Sequence, residues 1–273
     1  MGLRSRLRHL LRPSLGRPAP VQTRPLGPRL ASAPPPATRW TLQDRELATG
    51  APSLLHPELR AALSSSEPAA LLRPLAPGLW LLPVLAEQTI ERLLAELEAI
   101  DRAVAMGQLE LDAPNSMHGH GVILEAAGLA PLAAQLSEVV QVFAPVFAEL
   151  GPVELHDPHG FCIHYGSGAD RDLGFHADDA TLTLNLCLQS TAQGSAVVFE
   201  GARCIEHRQG PTLPEEVVVW EPRAGEALLH LGANRHRTEA LRSGRRRSLV
   251  VWCRDRERVD LGECGPWCGV HSG

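Results

Sequence analysis

The sequence predicts an α+β protein with a mainly β core and helices packed against it from the N-terminal side. Hydrophobic residues over 87–100 and 132–150 recur at the helical period, whereas at least six short strand-like runs follow residue 152. Gly, Pro and Asn turns separate those runs, as in sandwiches and barrels. Helices followed by strands, rather than alternating with them, point to a sheet core buttressed by helices.

The size and composition allow such a core. A chain of 273 residues with 44% hydrophobic content can bury one, and fibrous, collagenous or wholly disordered classes are excluded. The net charge of −5 conceals a split. Residues 1–43 hold eight Arg and no acid, and residues 44–273 hold 18 Arg against 31 acids. All 26 basic residues are Arg. The absence of Lys is a composition bias, so an Arg-rich stretch is not by itself a nucleic-acid signal.

Residues 1–43 form the first segment. Leu3, Leu7, Leu10 and Leu11 share a helical face with Arg4, Arg8 and Arg12 largely off it, which reads as an organellar transit peptide. The eight Pro in the segment equally fit a disordered tail. The expected location is mitochondrial, another organelle, or the cytoplasm. Six Cys do not make a dense secreted scaffold, and Cys162, Cys187 and Cys253 fall in apolar runs where a thiol acts as a small hydrophobe. No apolar run approaches the ~18–20 residues of a membrane span, so no membrane association is expected.

A Pro- and Ser-rich connector, 44–77, follows, with a short helix at 56–63. Residues 78–152 form a helical support region. It opens with a strand, GLWLLPVL, and continues with a helix at 87–100 that places Ile90, Leu93, Leu94, Leu97 and Ile100 on one face. A second helix covers 132–150 and is broken at Pro145. The core, 153–256, carries strands at 161–165, 181–188, 196–199, 216–220, 226–231 and 248–254. A Cys-containing tail, 257–273, closes the chain.

The chemistry centres on His176-Ala177-Asp178. Residues two apart on an extended chain project to one face, so this imidazole and carboxylate can meet one cation. An HxD triplet alone is weak in a chain with 12 His. Downstream, His230 and His236 each offer a third ligand. Two His and one carboxylate with open positions suit non-haem Fe(II), whereas a structural zinc site wants four protein ligands. An acidic cosubstrate would require a fixed cation, for which the planar fork of Arg is suited.

The runs DLGFHADDATLTLNLCL, GEALLHLGANRH and SGRRRSLVVWCR resemble the 2-oxoglutarate and Fe(II)-dependent dioxygenases of the prolyl/lysyl-hydroxylase type. More closely, the chain resembles the 2-oxoglutarate and iron-dependent oxygenase domain-containing proteins. Those share a PNSM element (114–117 here), a strand like FCIHY and a Cys-containing tail, and the resemblance spans roughly residues 78–268. It implies a double-stranded β-helix, or jelly roll, with His176, Asp178 and His236 as iron ligands. It also implies that Arg246 pairs with the 5-carboxylate of 2-oxoglutarate, because the G-x-R-x-x-L pattern falls on Gly244, Arg246 and Leu249. His236 is preferred to His230, which is left as a strand residue, because the GxxxH element and the spacing to Arg246 fit it. Tyr165 and Asn185 are implied as cosubstrate-pocket residues, each with a structural role as the alternative.

Strand parity puts Arg246, Ser248, Val250 and Trp252 on one face. A two-residue hairpin at Ser243-Gly244 would put His236 and Arg246 on opposite faces. The site therefore requires the connection to cross between two sheets.

The function implied is coupling of oxidative decarboxylation of 2-oxoglutarate to succinate, with O2, to hydroxylation of a substrate C–H bond. The cofactors implied are Fe(II), 2-oxoglutarate and, by resemblance only, L-ascorbate. The substrate class includes a peptidyl Lys or Pro of a protein partner, or a small molecule. Nucleic-acid oxidation is a rival suggested by six Arg within 235–247, but it is not favoured: DNA-repair dioxygenases of this fold carry a second Arg six positions after the cosubstrate Arg, where this chain has Trp252. A non-catalytic cupin-like binding module is the other alternative, disfavoured because all four functional positions are filled. His118 and His120 after Met117, and Arg237-Thr238 after His236, depart from the family pattern. Cys264, Cys268 and His271 in the tail supply three candidate zinc ligands; surface thiols or a redox pair fit equally.

Overall fold

The computed structural model describes residues 36–258 and 264–271. The transit-like reading of the chain start falls mostly on residues 1–35, outside the described residues. Nearer the body, Trp40 donates its indole N–H to Glu96 at 2.8 Å, and the Gln43 and Asp44 amides donate to the other oxygen of that carboxylate at 2.8 and 2.7 Å.

Helix α1 (Pro57–Leu63) leads into the strand pair β1 (Arg73–Ala76) and β2 (Leu79–Pro83). Helix α2 (Glu87–Ala105) runs five residues beyond the expected end, since nothing in 101–105 breaks a helix before the left-handed Gly107. After the short strand β3 (Gly121–Ile123) comes α3 (Ala130–Phe143). It stops before Pro145 and continues as two single 3-10 turns, as the missing N–H of proline requires.

The β region holds β4 (His156–Tyr165), β5 (Leu173–His176), β6 (Leu182–Ser190), β7 (Gln193–Gly194) and β8 (Val197–Ala202). It continues with β9 (Val217–Trp220), β10 (Glu226–Leu231), β11 (Asn234–Thr238), β12 (Leu241–Ser243) and β13 (Arg246–Arg254). All six strands expected in the core are present. β5 and β11, which carry the histidines of the triad, lie outside the expected set.

The result is mixed α and β structure with antiparallel sheets. A seven-stranded sheet has the order β1-β2-β10-β6-β13-β4-β3, a four-stranded sheet has the order β5-β11-β8-β9, and β12 pairs with β7. The seven-stranded sheet shows the period-2 logic of a strand buried on both faces. Leu182, Leu184, Leu186, Leu249, Val251 and Cys253 face one way and share a core with Leu93 and Leu97 of α2 and Leu132, Leu136 and Val140 of α3. The opposite parity, Thr183, Asn185, Ser248, Val250 and Trp252, lines a cavity. Elsewhere on that face Leu79, Leu81 and Leu228 pack against Val197, Phe199 and Trp220 of the four-stranded sheet. Burial pushes the Cys162 and Cys253 thiols up to about 12 and the Cys187 thiol to about 11, so all three behave as apolar side chains.

The chain crosses between sheets where the site requires it. β11 pairs with β5 and β8, β12 pairs with β7, and β13 pairs with β4 and β6. No helix among the described residues is long and apolar enough to cross a membrane.

Candidate metal centre

β5 and β11 place His176 directly opposite His236, so both imidazoles leave the same face, with ring centroids 4.2 Å apart. Two residues beyond His176 the Asp178 amide donates to the Gly232 carbonyl at 2.9 Å, which fixes the carboxylate beneath the two rings. The turn at Gly232 passes so close to Ala180 that any Cβ would collide with its carbonyl oxygen. One ligand atom each from His176, Asp178 and His236 can be chosen with all three within 4.8 Å of one another.

Backbone carbonyls set the tautomers. Nδ1–H of His176 donates to Gly174 at 2.8 Å, and Nδ1–H of His236 donates to Asn234 at 2.9 Å. Each Nε2 lone pair is thereby left for the centre, as metal-binding histidines require. These nitrogens stand 3.4 and 3.7 Å from Asp178 Oδ1. The other oxygen, Oδ2, accepts from the Thr183 hydroxyl at 2.7 Å and lies 3.8 Å from His230 Nε2. His230 is fully buried on β10 and tied through Nδ1 to the Leu231 carbonyl. His230 is thus a strand residue, as expected, and its Nε2 also faces Asp178.

The electrostatics fit a cation among these atoms. Burial opposes the Asp178 carboxylate, but the facing His236, with His176 and His230, outweighs it and holds the carboxyl far below the usual range. Burial drives His236 down to about 3. For His176 burial acts downward too, but the contact with Asp178 prevails and raises it. A buried anion beside a neutral imidazole suits a divalent metal, and the donor set of two nitrogens and one oxygen leaves ligand positions open.

Arg246 opens β13 opposite Tyr165 on β4, and its guanidinium lies 4.5 Å from the Tyr165 ring centroid. It is 2% exposed, and its Nε and Nη1 have no hydrogen-bond partner. Burial pulls its pKa down; a carboxylate would reverse that. Its neighbours point elsewhere: Arg245 lies exposed near Glu98, and Arg247 pairs with Asp101 of α2. Asn185 lines the same cavity and keeps its buried Oδ1 without a partner.

Tyr165 is held at its hydroxyl. His118 Nδ1–H donates to Asn115 Oδ1 at 3.1 Å, leaving Nε2 to accept from the Tyr165 hydroxyl at 3.0 Å. Burial drives His118 down to about 4 and raises Tyr165. Two departures from the family pattern, His118 and Thr238, therefore both line this cavity. Its volume is about 30 Å³, room for a water molecule. Thr183 as the partner of Asp178 and His230 behind it were not foreseen. Each left a sequence signal: Thr183 as a polar residue facing the same way as Asn185, and His230 as a candidate third ligand.

Residues 38–151 match the OGFOD2-like domain family. Two 2-oxoglutarate and iron-dependent oxygenase domain-containing proteins of Arabidopsis thaliana are 32% and 34% identical over 200 and 202 residues, each covering 71% of this chain. The 2-oxoglutarate and iron-dependent oxygenase domain-containing protein 2 of Mus musculus is 32% identical over 232 residues, 80% of this chain. The matched regions span 51%, 50% and 62% of those proteins, so the chain spans about half the length of the curated relatives it matches. Among solved structures, a Pseudomonas putida prolyl-4-hydroxylase aligns with 66% of this chain and 93% of its own at 19% identity and a TM-score of 0.47. On the sequence relationship, the chain is similar over 71–80% of its length to the 2-oxoglutarate and iron-dependent oxygenase domain-containing proteins.

Proposed function

We propose that this chain is an Fe(II)- and 2-oxoglutarate-dependent dioxygenase that hydroxylates a substrate C–H bond, with its two sheets forming a double-stranded β-helix. The observation that carries the reading is the pairing, in one cavity, of a two-His, one-carboxylate cluster with a buried arginine whose Nε and Nη1 lack partners. A buried cation without its hydrogen-bond acceptors is costly, and an acidic ligand supplies them.

In this reading His176, Asp178 and His236 hold Fe(II), and Arg246 receives the far carboxylate of 2-oxoglutarate in a bidentate grip. Iron with 2-oxoglutarate and O2 supplies the oxidising power, yielding succinate and CO2 as one oxygen atom enters the substrate. The protein orients and excludes water. Thr183 keeps Asp178 Oδ2 occupied so that Oδ1 faces the metal, His118 fixes the Tyr165 hydroxyl, and Asn185 Oδ1 is left to accept from a bound donor. A peptidyl Lys or Pro is the proposed substrate class. Ascorbate would serve to return the iron to Fe(II).

Nucleic acid fits less well. Of the six Arg in 235–247, Arg235 donates to backbone carbonyls, Arg237, Arg245 and Arg247 face acids, Arg246 is buried, and Arg242 is exposed. Little of that cluster remains for phosphates. The test is succinate formation from 2-oxoglutarate with Fe(II), screened against peptide, nucleic-acid and metabolite libraries. Dependence on iron and loss in His176→Ala and Asp178→Ala are expected. Undiminished turnover in either variant rejects the assignment.

A further inference from the structure

The cysteine tail meets a partner that lies far upstream. The loop after β8 begins Arg203-Cys204-Ile205-Glu206-His207, and its turn is closed by the His207 amide donating to the Cys204 carbonyl at 3.1 Å. In the tail, the Cys268 amide donates to the Gly265 carbonyl at 2.9 Å, folding the C-x3-C segment back on itself. The two turns face each other. His207 Nδ1 stands 3.1 Å from Cys204 Sγ, 3.3 Å from Cys264 Sγ and 3.7 Å from Cys268 Sγ. All four ligand atoms lie within 4.8 Å of one another.

We propose that Cys204, His207, Cys264 and Cys268 form a closed Cys3His site for a structural Zn2+, separate from the His176–Asp178–His236 centre. Zinc takes four tetrahedral ligands, and metal–ligand bonds of about 2.0–2.3 Å place neighbouring ligand atoms roughly 3.3–3.8 Å apart. The three distances from His207 run from 3.1 to 3.7 Å. Three thiolates and one imidazole are a soft, complete set with no open position, so the site fits zinc and structure rather than iron and catalysis. On binding, the metal displaces the thiol protons and leaves His207 neutral.

The surroundings are built for the junction. Cys204 and Cys268 are both fully buried. Arg203 grips Glu216 with two hydrogen bonds of 2.5 and 2.6 Å, and Gly269 rests so tightly on this pair that a side chain there would collide with both. The same loop is held from the other side. Arg235 donates to the Gly210 carbonyl at 2.7 Å and to the Glu200 carbonyl at 2.6 Å, and it is the residue before His236. Zinc would therefore staple the tail to the loop that braces the strand carrying His236.

The experiment is metal analysis of the full chain in which His176→Ala and Asp178→Ala remove the other centre. Zinc retained at one equivalent after gel filtration is expected, and its extraction by a strong chelator should expose three thiols together and lower the thermal midpoint. Replacement by Co2+ should give thiolate charge-transfer absorption with the visible bands of tetrahedral coordination. Cys264→Ser, at an exposed position, should abolish zinc retention without unfolding the protein. Zinc-free protein after expression in zinc-supplemented medium, zinc retained in Cys264→Ser, or a disulfide among these cysteines in the native chain would each overturn the proposal. Because the triad is absent from the protein tested, none of these outcomes depends on the oxygenase reading.

Discussion

Replacing Arg246 by Met keeps much of the side-chain volume and removes the charge. If Arg246 receives the far carboxylate of 2-oxoglutarate, the variant loses two charge-assisted hydrogen bonds at ~1.5–3 kcal/mol each. Part of that loss is offset, since Met does not leave a desolvated cation waiting in the empty pocket. A net cost of about 2–4 kcal/mol corresponds to a rise of roughly 30- to 900-fold in the 2-oxoglutarate concentration required. The assay is succinate formation across a 2-oxoglutarate titration, with Arg245→Met as the control on an exposed neighbour. A thermal measurement separates binding from folding. Without 2-oxoglutarate the variant should be about as stable as the parent, because Nε and Nη1 of Arg246 have no protein partner to lose; its contact with Tyr165, a stacking worth about 0.5–2 kcal/mol and a side-chain hydrogen bond, opposes the gain. Saturating 2-oxoglutarate at 100 times its Kd should stabilise the metal-loaded parent by about 2.7 kcal/mol and leave the variant almost unmoved. An unchanged requirement in Arg246→Met, or a larger effect from Arg245→Met, refutes the reasoning.

Thr183→Val deletes the 2.7 Å hydrogen bond to Asp178 Oδ2 and should weaken Fe(II) binding ~10- to 100-fold, read by metal titration, while leaving the fold cooperative. Gly232→Ala drives a methyl into the Ala180 carbonyl beneath the bond that holds Asp178; a loss of about 1–3 kcal/mol in stability with weakened metal binding is expected, and a neutral result on both measures would contradict the packing. His118 is driven to about 4 in the fold from an ordinary value near ~6.5. The unfolded chain therefore binds the extra proton first, so stability falls as the pH drops from about 6.5 to 4, by up to roughly 3 kcal/mol, and levels off below. His118→Phe should flatten that portion of the denaturation profile; an unaltered slope would place the titration elsewhere.

How much of this was legible in the sequence follows from what each strand faces. β6 and β13 alternate Leu or Val with cavity residues, and their apolar face alone announces a strand. β5 and β11 read Leu-Gly-Phe-His and Asn-Arg-His-Arg-Thr. Their side chains are chosen for the centre and for bracing, not for a core, so the hydrophobic period that reveals strands is missing where the chemistry is densest. The HxD triplet and the distal histidine were visible as chemistry, but their direct opposition was not, because pairing β5 with β11 joins segments some 60 residues apart. The Cys3His cluster was hidden for the same reason. Its tail half offered three candidates, Cys204 and His207 lie some 60 residues upstream of them, and only the folded chain brings these two to the other two cysteines. The side chain of His271, the third of those candidates, lies outside the described residues.

The helices bear on the chemistry through register. Thr183, Asn185, Ser248, Val250 and Trp252 each have a leucine, valine or cysteine beside them that belongs to the core shared with the helices, while Arg246 has Arg247, which meets Asp101 of α2, and a one-residue slip would exchange the two sets. Such a slip would bury Thr183, Asn185 and Arg246 against α2 and α3 and turn Leu184 and Leu249 toward the metal. The helical layer penalises that exchange heavily, because it offers mainly apolar contacts to these strands, and Asp101 of α2 is already paired with Arg247. The position of Arg246 in the cavity is thus specified from the opposite face of its own strand. This also accounts for three consecutive arginines having three separate fates: Arg247 takes the helical side by meeting Asp101, Arg245 stays outside the strand near Glu98, and only Arg246 has the parity that reaches the cavity.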